Sequence, residues 1–344
     1  AVRAAQREER EKIPRSEPRE PAPHTFRRPV RARVVVADQE ADALTQGGGK
    51  AQPPQNLPHY RRGLLQRPPD FLSGRRGILR RRNHSPLPGD EVIYSSTGDP
   101  DVPWVIDRIF PRRNHLIRPP VANLDGMVIT LSADQPAPDY YLADKLLTIC
   151  RHHQIEPLIC LTKVDLAAEV PPIRSIYEPA GCRVVLTHPE EDDSLDILRR
   201  WMRGRIISFA GQSGVGKSTL LNRLFDREMM ITGGLSEKAG RGRHTTRHVE
   251  LFPHDDGYIA DTPGFSMLEL SDFAINGTDL VHGYPEIEAI EEHCRFTGCR
   301  HLGEMGCAVR DSSIHPDRLE RYRYFRRQLD SIDPYAAGKP QIRH

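Results

Sequence analysis

A chain of 344 residues, 38% of them hydrophobic, has room for two or three domains and enough apolar material for a full core. No run approaches the roughly 18 apolar residues that a membrane-spanning helix needs, and no charged start followed by an apolar stretch reads as a secretory signal. Six cysteines in a chain of this length are too sparse for a disulfide framework, so a cytoplasmic protein with reduced thiols is expected. The net charge of +2 hides an asymmetry, +9 over residues 1–120 and −7 over the remainder. A basic front suggests a polyanionic partner, although arginines that only solubilise a flexible segment would give the same balance.

Residues 1–30 are polar, carry five prolines and show no periodicity, which predicts a disordered basic extension. Residues 31–120 read as a small β domain: "RARVVVA" is a strand, and "GGGKAQPPQNLP" a linker or loop. From Leu72, "LSGRRGILRRRNHSPLPGDEVIY" and "PWVIDRIFPRRNHLIRPP" read as short strands joined by Gly/Pro turns. They fit a barrel, or part of one, decorated by Arg75, Arg76, Arg80, Arg81, Arg82, Arg112 and Arg113. Over 121–272 the texture changes to strand–helix alternation. Strands "GMVITLSA", "PLICLT", "RVVLTH", "RIISFAG" and "GYIAD" are separated by helices "YYLADKLLTICRHH", "SLDILRRWM" and "GKSTLLNRLF", an α/β pattern with a mostly parallel sheet. Residues 273–344 hold helical stretches, a Cys/His cluster and a charged final helix, "PDRLERYRYFRRQLDSI", with no strand.

Gly211-x4-Gly216-Lys217-Ser218 is a complete phosphate-loop signature, with a strand before it and a helix after it. Its glycines let main-chain N–H groups and the helix N-terminus face an anion. Lys217 would reach the β- and γ-phosphates and Ser218 would ligate Mg²⁺, while Ser213, Gly214, Val215 and Thr219 complete the expected nucleotide contacts. At the end of a later strand comes Asp261-Thr262-Pro263-Gly264. This is a weak turn motif alone, but after a phosphate loop an acid there can hold the Mg²⁺ water, and the Gly264 N–H can sense the γ-phosphate. Between the two lies "GRGRHTTRH", where Thr246 (or Thr245) is the expected second hydroxyl on Mg²⁺.

The strand "PLICLT" runs into Thr162, Lys163 and Asp165. Taken alone this is equally a surface turn. Beside the other motifs it becomes a guanine reader: Asp165 can accept both N1–H and N2–H of guanine, donors that adenine does not offer, and the Lys163 stem can pack near the base. The order is then base element, phosphate loop, switch, DTPG, which a parallel sheet accepts if its original ends were joined and the chain reopened elsewhere. Further on, Cys294-x4-Cys299-x-His301-x5-Cys307 offers three thiolates and one imidazole for a closed tetrahedral zinc site. Three buried reduced cysteines beside an unrelated histidine is the competing reading.

Together "RRNHLIRPPVANLDGMVIT", "TKVDL", "FAGQSGVGKSTLLN", "GRGRHTTRHVELF", "DTPGF" and "CRFTGCRHLGEMGCAV" resemble the ribosome small subunit-dependent GTPase A family (RsgA/YjeQ) over roughly residues 72–330. The resemblance implies an N-terminal OB barrel, a circularly permuted GTPase core and a C-terminal helical zinc domain. It implies a GTP phosphohydrolase using GTP/GDP, Mg²⁺ and one Zn²⁺ per chain, acting as a monomer on the 30S subunit and its 16S rRNA with no membrane partner. Hydrolysis would be slow alone, stimulated by the 30S subunit, and coupled to late 30S maturation and release. The family lacks the usual water-positioning glutamine; here Phe265 stands in that place, and His244, before the paired threonines, is the implied catalytic residue. Three departures stand out. Residues 1–70 are Arg/Pro-rich where the family has the opening strands of its barrel, so an incomplete or differently closed barrel is expected. Thr162 stands where many GTPases have Asn, which predicts softened guanine affinity. "LTHPEEDD" replaces a small-residue contact to guanine O6, leaving Thr187 or His188 for that place. Two rivals are a permuted GTPase acting on another RNA or the large subunit, and a nucleotide-dependent binding protein whose hydrolysis has decayed.

Overall fold

The computed structural model describes residues 61–65, 74–75, 85–96, 104–188, 193–224, 249–261 and 268–332. All of them lie in one unit spanning Ala32–His344. The expected strand "RARVVVA" and Arg76, Arg80, Arg81 and Arg82 fall outside the described residues.

At the front, β1 (Arg61–Leu64), β2 (Gly74–Arg75), β3 (Glu91–Ser96) and β4 (Trp104–Ile109) form a four-stranded sheet in the order β1-β3-β4-β2. Among the described residues this sheet is open, with β1 and β2 at its edges. Its core is small, centred on Val92 and Ile106 with Tyr94 and Ile109 packed against them. Arg113 faces solvent as expected, whereas Arg112 is half-buried, and both are engaged by carboxylates. Asp90 is fully buried and takes Arg112 bidentately, Nε to Oδ1 at 2.7 Å and Nη2 to Oδ2 at 2.9 Å. Arg113 pairs with Asp125 at 2.6 Å and also donates to the Asn123 carbonyl. The Arg112 fork is engaged by Asp90 just before β3, and Arg113 ties the chain leaving β4 to Asp125.

After a short hairpin of β5 (His115–Leu116) and β6 (Val121–Ala122) comes the main sheet. Its strands are β7 (Gly126–Ser132), β8 (Glu156–Thr162), β9 (Arg183–Leu186), β10 (Ile206–Ala210), β11 (Glu250–His254) and β12 (Gly257–Asp261), in the order β11-β12-β10-β7-β8-β9. All pairings are parallel except β11 with β12. All seven residues of β7 are buried, as expected of a strand covered on both faces. The alternation of side chains explains the two cores. Met127, Ile129, Leu131, Ile159 and Leu161 face one layer, while Val128, Leu158, Cys160, Ile207 and Phe209 face the other.

The first layer contains α1 (Tyr140–His152), capped by Asp139, whose Oδ1 accepts from the Leu142 N–H at 2.9 Å, and α2 (Ile173–Tyr177). The second contains α3 (Asp193–Met202) and α4 (Lys217–Leu224). Asp193 and Asp196 in the first turn of α3 and Arg199 and Arg200 in its last complement the helix dipole. Cys150, Cys160 and Cys182 are buried in these layers; burial raises all three thiols, Cys160 to about 12, which makes them inert packing groups.

No strand follows Asp261 among the described residues. Turns at 270–273 and 279–283, the short α5 (Pro285–Glu288) and the long α6 (Pro316–Ser331) pack on α1. Their anchor is Asp144, fully buried on α1. It accepts from Arg318 Nη1 at 2.8 Å, Arg321 Nε at 2.6 Å and the Tyr284 hydroxyl at 3.2 Å. Glu286 takes Arg318 Nε at 2.6 Å. Burial alone would discharge Arg318, but Asp144 and Glu286 outweigh it and raise its pKa. From the adjacent position Lys145 Nζ donates to the Leu268 carbonyl at 3.0 Å and pairs with Glu269 at 3.1 Å. One helix therefore holds both the C-terminal helix and the chain at Leu268 and Glu269.

Candidate functional site

The carboxyl ends of β7, β8, β10 and β12 share one edge of the sheet, the edge where open α/β sheets bind ligands. Residues 211–216 leave β10 here and enter α4. Gly211 has φ +148°, and a Cβ on it would lie 2.2 Å from the Thr130 carbonyl oxygen, so close strand packing excludes any side chain. Gly214 and Gly216, at φ +80° and +92°, lie in the left-handed region that favours glycine. Val215 is fully buried and plugs the loop into the core, whereas Ser213, Gly214, Ser218 and Thr219 face solvent. Lys217 donates to the Gly211 carbonyl at 2.8 Å and the Gln212 carbonyl at 2.5 Å, across the mouth of the loop. Partial burial lowers its pKa, so the ammonium is poised to gain from an anion.

The end of β8 is fastened onto this loop. The Thr162 hydroxyl lies 2.5 Å from the Val215 carbonyl and 3.1 Å from the Leu131 carbonyl; having one proton, it donates to the nearer. Thr162 is buried, so its side chain ties base element to phosphate loop and its influence on a base is indirect. Lys163 adopts φ +57° and crosses to the loop, donating to the Gly214 carbonyl at 2.8 Å and to the Gln135 carbonyl. Asp165 follows on the exposed side of the same turn. On β9's exit, the Thr187 N–H and hydroxyl both go to the Leu161 carbonyl, at 2.8 and 3.2 Å. With both Thr187 donors engaged, His188 is left as the candidate for a backbone contact to a base.

A further brace was not read from the sequence. Gln212 Nε2 approaches Asp139 Oδ2 at 3.3 Å, so the cap of α1 also touches the loop. The signal was present, since an Asp immediately before "YYLADKLL" is a standard N-cap. Asp261 ends β12, its backbone paired with Glu250. His244, Thr245, Thr246, Gly264 and Phe265 lie outside the described residues.

Away from this edge, Cys294, Cys299, His301 and Cys307 converge, their ligand atoms all within 4.8 Å of one another. His301 Nδ1 lies 3.6 Å from the Cys294 sulfur and 3.5 Å from the Cys307 sulfur. A tetrahedral zinc with ordinary Zn–S and Zn–N bonds sets a sulfur–nitrogen edge of about 3.6 Å, so the donor set fits that ion. The outer contacts fit as well. Glu291 sits 3.5 Å from His301 Nε2 on the far side of the ring, and the Ala308 N–H donates to the Cys294 sulfur at 3.3 Å. Glu304 accepts from the N–H groups of Arg300 and Leu302, which holds the turn that presents His301 at φ +60°. Spacing alone pointed to the four clustered side chains but to neither glutamate.

The family model described as RsgA GTPase matches residues 109–271. A relative from Ruminiclostridium cellulolyticum, named small ribosomal subunit biogenesis GTPase RsgA, is 41% identical over 274 residues, covering 78% of this chain and 89% of its own. The chain belongs to the RsgA family. A Bacillus cereus relative of the same name is 38% identical over 254 residues, covering 72% of this chain and 85% of its own. Among solved structures, YloQ, titled a circularly permuted GTPase, is similar with TM-score 0.61 and 35% identity, covering 75% of this chain and 86% of that one. YjeQ from Thermotoga maritima matches with TM-score 0.64 and 27% identity over 80% and 100% of the two chains. The family explains the sheet order. The strand leading into the phosphate loop stands centrally, yet the base-element strand β8 precedes it in the chain, as circular permutation of a GTPase requires.

Proposed function

We propose that this chain is a guanine-specific GTPase of small ribosomal subunit biogenesis, the role that its relatives' names state. The single observation that carries the nucleotide reading is the bridge from β8 to the phosphate loop, Thr162 to Val215 and Lys163 to Gly214. Through it, a base read by Asp165 and phosphates cradled by 211–219 are held at one fixed separation. Asp165 selects guanine, the N–H groups of Ser213, Gly214, Val215 and Gly216 face the phosphates, and Lys217 neutralises them. Mg²⁺, which a GTPase of this family implies, would be held by Ser218 and Thr246, with Asp261 on its water, and would offset charge on the β- and γ-oxygens. Gly264 senses the γ-phosphate. His244 orients the attacking water, because Phe265 in the usual glutamine position has no polar atom with which to do so.

Zn²⁺, one per chain, would be held by Cys294, Cys299, His301 and Cys307 as a closed structural site. The protein acts in the cytoplasm as a monomer, binds 16S rRNA on the 30S subunit, hydrolyses GTP slowly alone and faster on the subunit, and leaves after hydrolysis. Lys145 and Asp144 supply the route, since α1 grips both the segment after 262–267 and the helix α6.

Single-turnover GTP cleavage with and without small subunits tests this function. We expect acceleration by small subunits but not by large ones, and a loss of about 100-fold or more in the stimulated rate for His244→Ala. Equal rates with and without small subunits would remove the ribosomal assignment. A His244→Ala rate equal to wild type would remove the catalytic one.

A further inference from the structure

His152, Asp279 and His282 form a second group of metal-ligating side chains, unrelated to the cysteine site, with one ligand atom from each lying within 4.8 Å of the others. His152 is in the last turn of α1, while Asp279 and His282 come from the turn at 279–283, so the ligands belong to segments about 130 residues apart in the chain. We propose that these three residues bind a divalent transition ion of the zinc class, clamping α1 to the C-terminal segment.

The backbone under the ligands is fixed in advance. Gly283 lies so close to α1 that a Cβ on it would sit 2.0 Å from the Thr148 hydroxyl oxygen. Its carbonyl accepts from Arg151 at 3.1 Å and from Arg318 at 3.0 Å. Asp279 is aimed by its own turn: its N–H donates to Asn276 Oδ1 at 3.1 Å, and its Oδ2 accepts from the Asn276 N–H at 3.1 Å. That leaves Oδ1 for an ion.

The imidazoles of His152 and His282 lie 6.1 Å apart between ring centroids, and the Glu288 carboxylate borders the site 3.8 Å from His282 Nδ1. The negative end of the α1 dipole points at the same place. Bonds of about 2.0–2.2 Å to nitrogen and oxygen would draw the three atoms somewhat closer, a closure that side-chain rotation supplies. Two imidazoles with one carboxylate select zinc, cobalt or nickel over magnesium or calcium, which take oxygen donors. Three ligands on a partly exposed surface leave a coordination position for water.

The test is Co²⁺ titration of nucleotide-free full-length protein already carrying zinc at its cysteine site. Expected is one further Co²⁺ per chain with weak visible bands and no thiolate charge-transfer absorption, together with a higher Tm. His152→Ala and His282→Ala each weaken this uptake at least about tenfold, while the exposed control His293→Gln leaves it unchanged. Melting curves of the variants before Co²⁺ is added show that they fold. No further ion in wild type, uptake unchanged in the His152→Ala/His282→Ala pair, or displacement of the ion by Mg²⁺ would each overturn the proposal.

Discussion

Lys217→Ala lowers single-turnover GTP cleavage by about 100- to 1000-fold, the cost of removing one preorganised group from developing negative charge. The size of the effect follows from where the ammonium sits. Burial depresses its pKa, and the Gly211 and Gln212 carbonyls hold it at the loop's mouth, so little reorganisation separates the resting from the working position. A phosphate there restores what burial takes away. Lys217→Arg does not rescue, because a planar fork replaces a compact charge on a slender stem. Rates near wild type for Lys217→Ala, with the fold intact by circular dichroism, would mean that the loop does not cradle the reacting phosphates.

Asp144→Ala destabilises the chain by about 3–5 kcal/mol, the cost of breaking a buried ion pair from one side. The carboxylate is fully buried and faces two guanidiniums, Arg318 and Arg321, that no water can solvate in its place. Arg318 keeps Glu286 after the change, whereas Arg321 has its ion pair in Asp144. In thermal unfolding the change corresponds to a drop of about 10 °C. Arg321→Met costs less, since Asp144 retains Arg318 and the Tyr284 hydroxyl. Equal and small losses in both variants would show that the network is a passive contact between α1 and α6.

Much of this molecule was legible before its structure, for reasons that particular residues make plain. The runs at 126–132 and 156–162 are short and almost continuously apolar, the mark of strands buried on both faces. Glycines at 211, 214 and 216 announce a backbone that only they can adopt. The cysteine spacing marks the Cys/His cluster because its four members are local in the chain.

What sequence did not disclose is direction and distance. Thr162 reads as a weakened base contact, yet its hydroxyl turns inward to the Val215 carbonyl, where it performs a bracing role that identity alone cannot show. Arg112 reads as surface charge but is half-buried and fastened to the buried Asp90. Asp144 looks like any helical acid until α6 brings Arg318 to it from 174 positions away. Glu291 and Glu304 support the cysteine site from places no motif marks. The expected switch residues His244, Thr246 and Gly264 lie outside the described residues and rest on the sequence alone.

The proposed function turns on residues 162–165, which precede the phosphate loop in the chain, reading the base of the nucleotide that the loop holds. Measuring the affinities of wild type and Asp165→Asn for GTP and XTP tests it most directly. The amide loses one acceptor for the guanine N1–H and N2–H pair but offers a donor to the xanthine oxygen. Asp165→Asn is expected to lower GTP affinity about 100-fold or more and to raise that for XTP, reversing the preference. An Asp165→Asn protein that still prefers GTP as wild type does would contradict it.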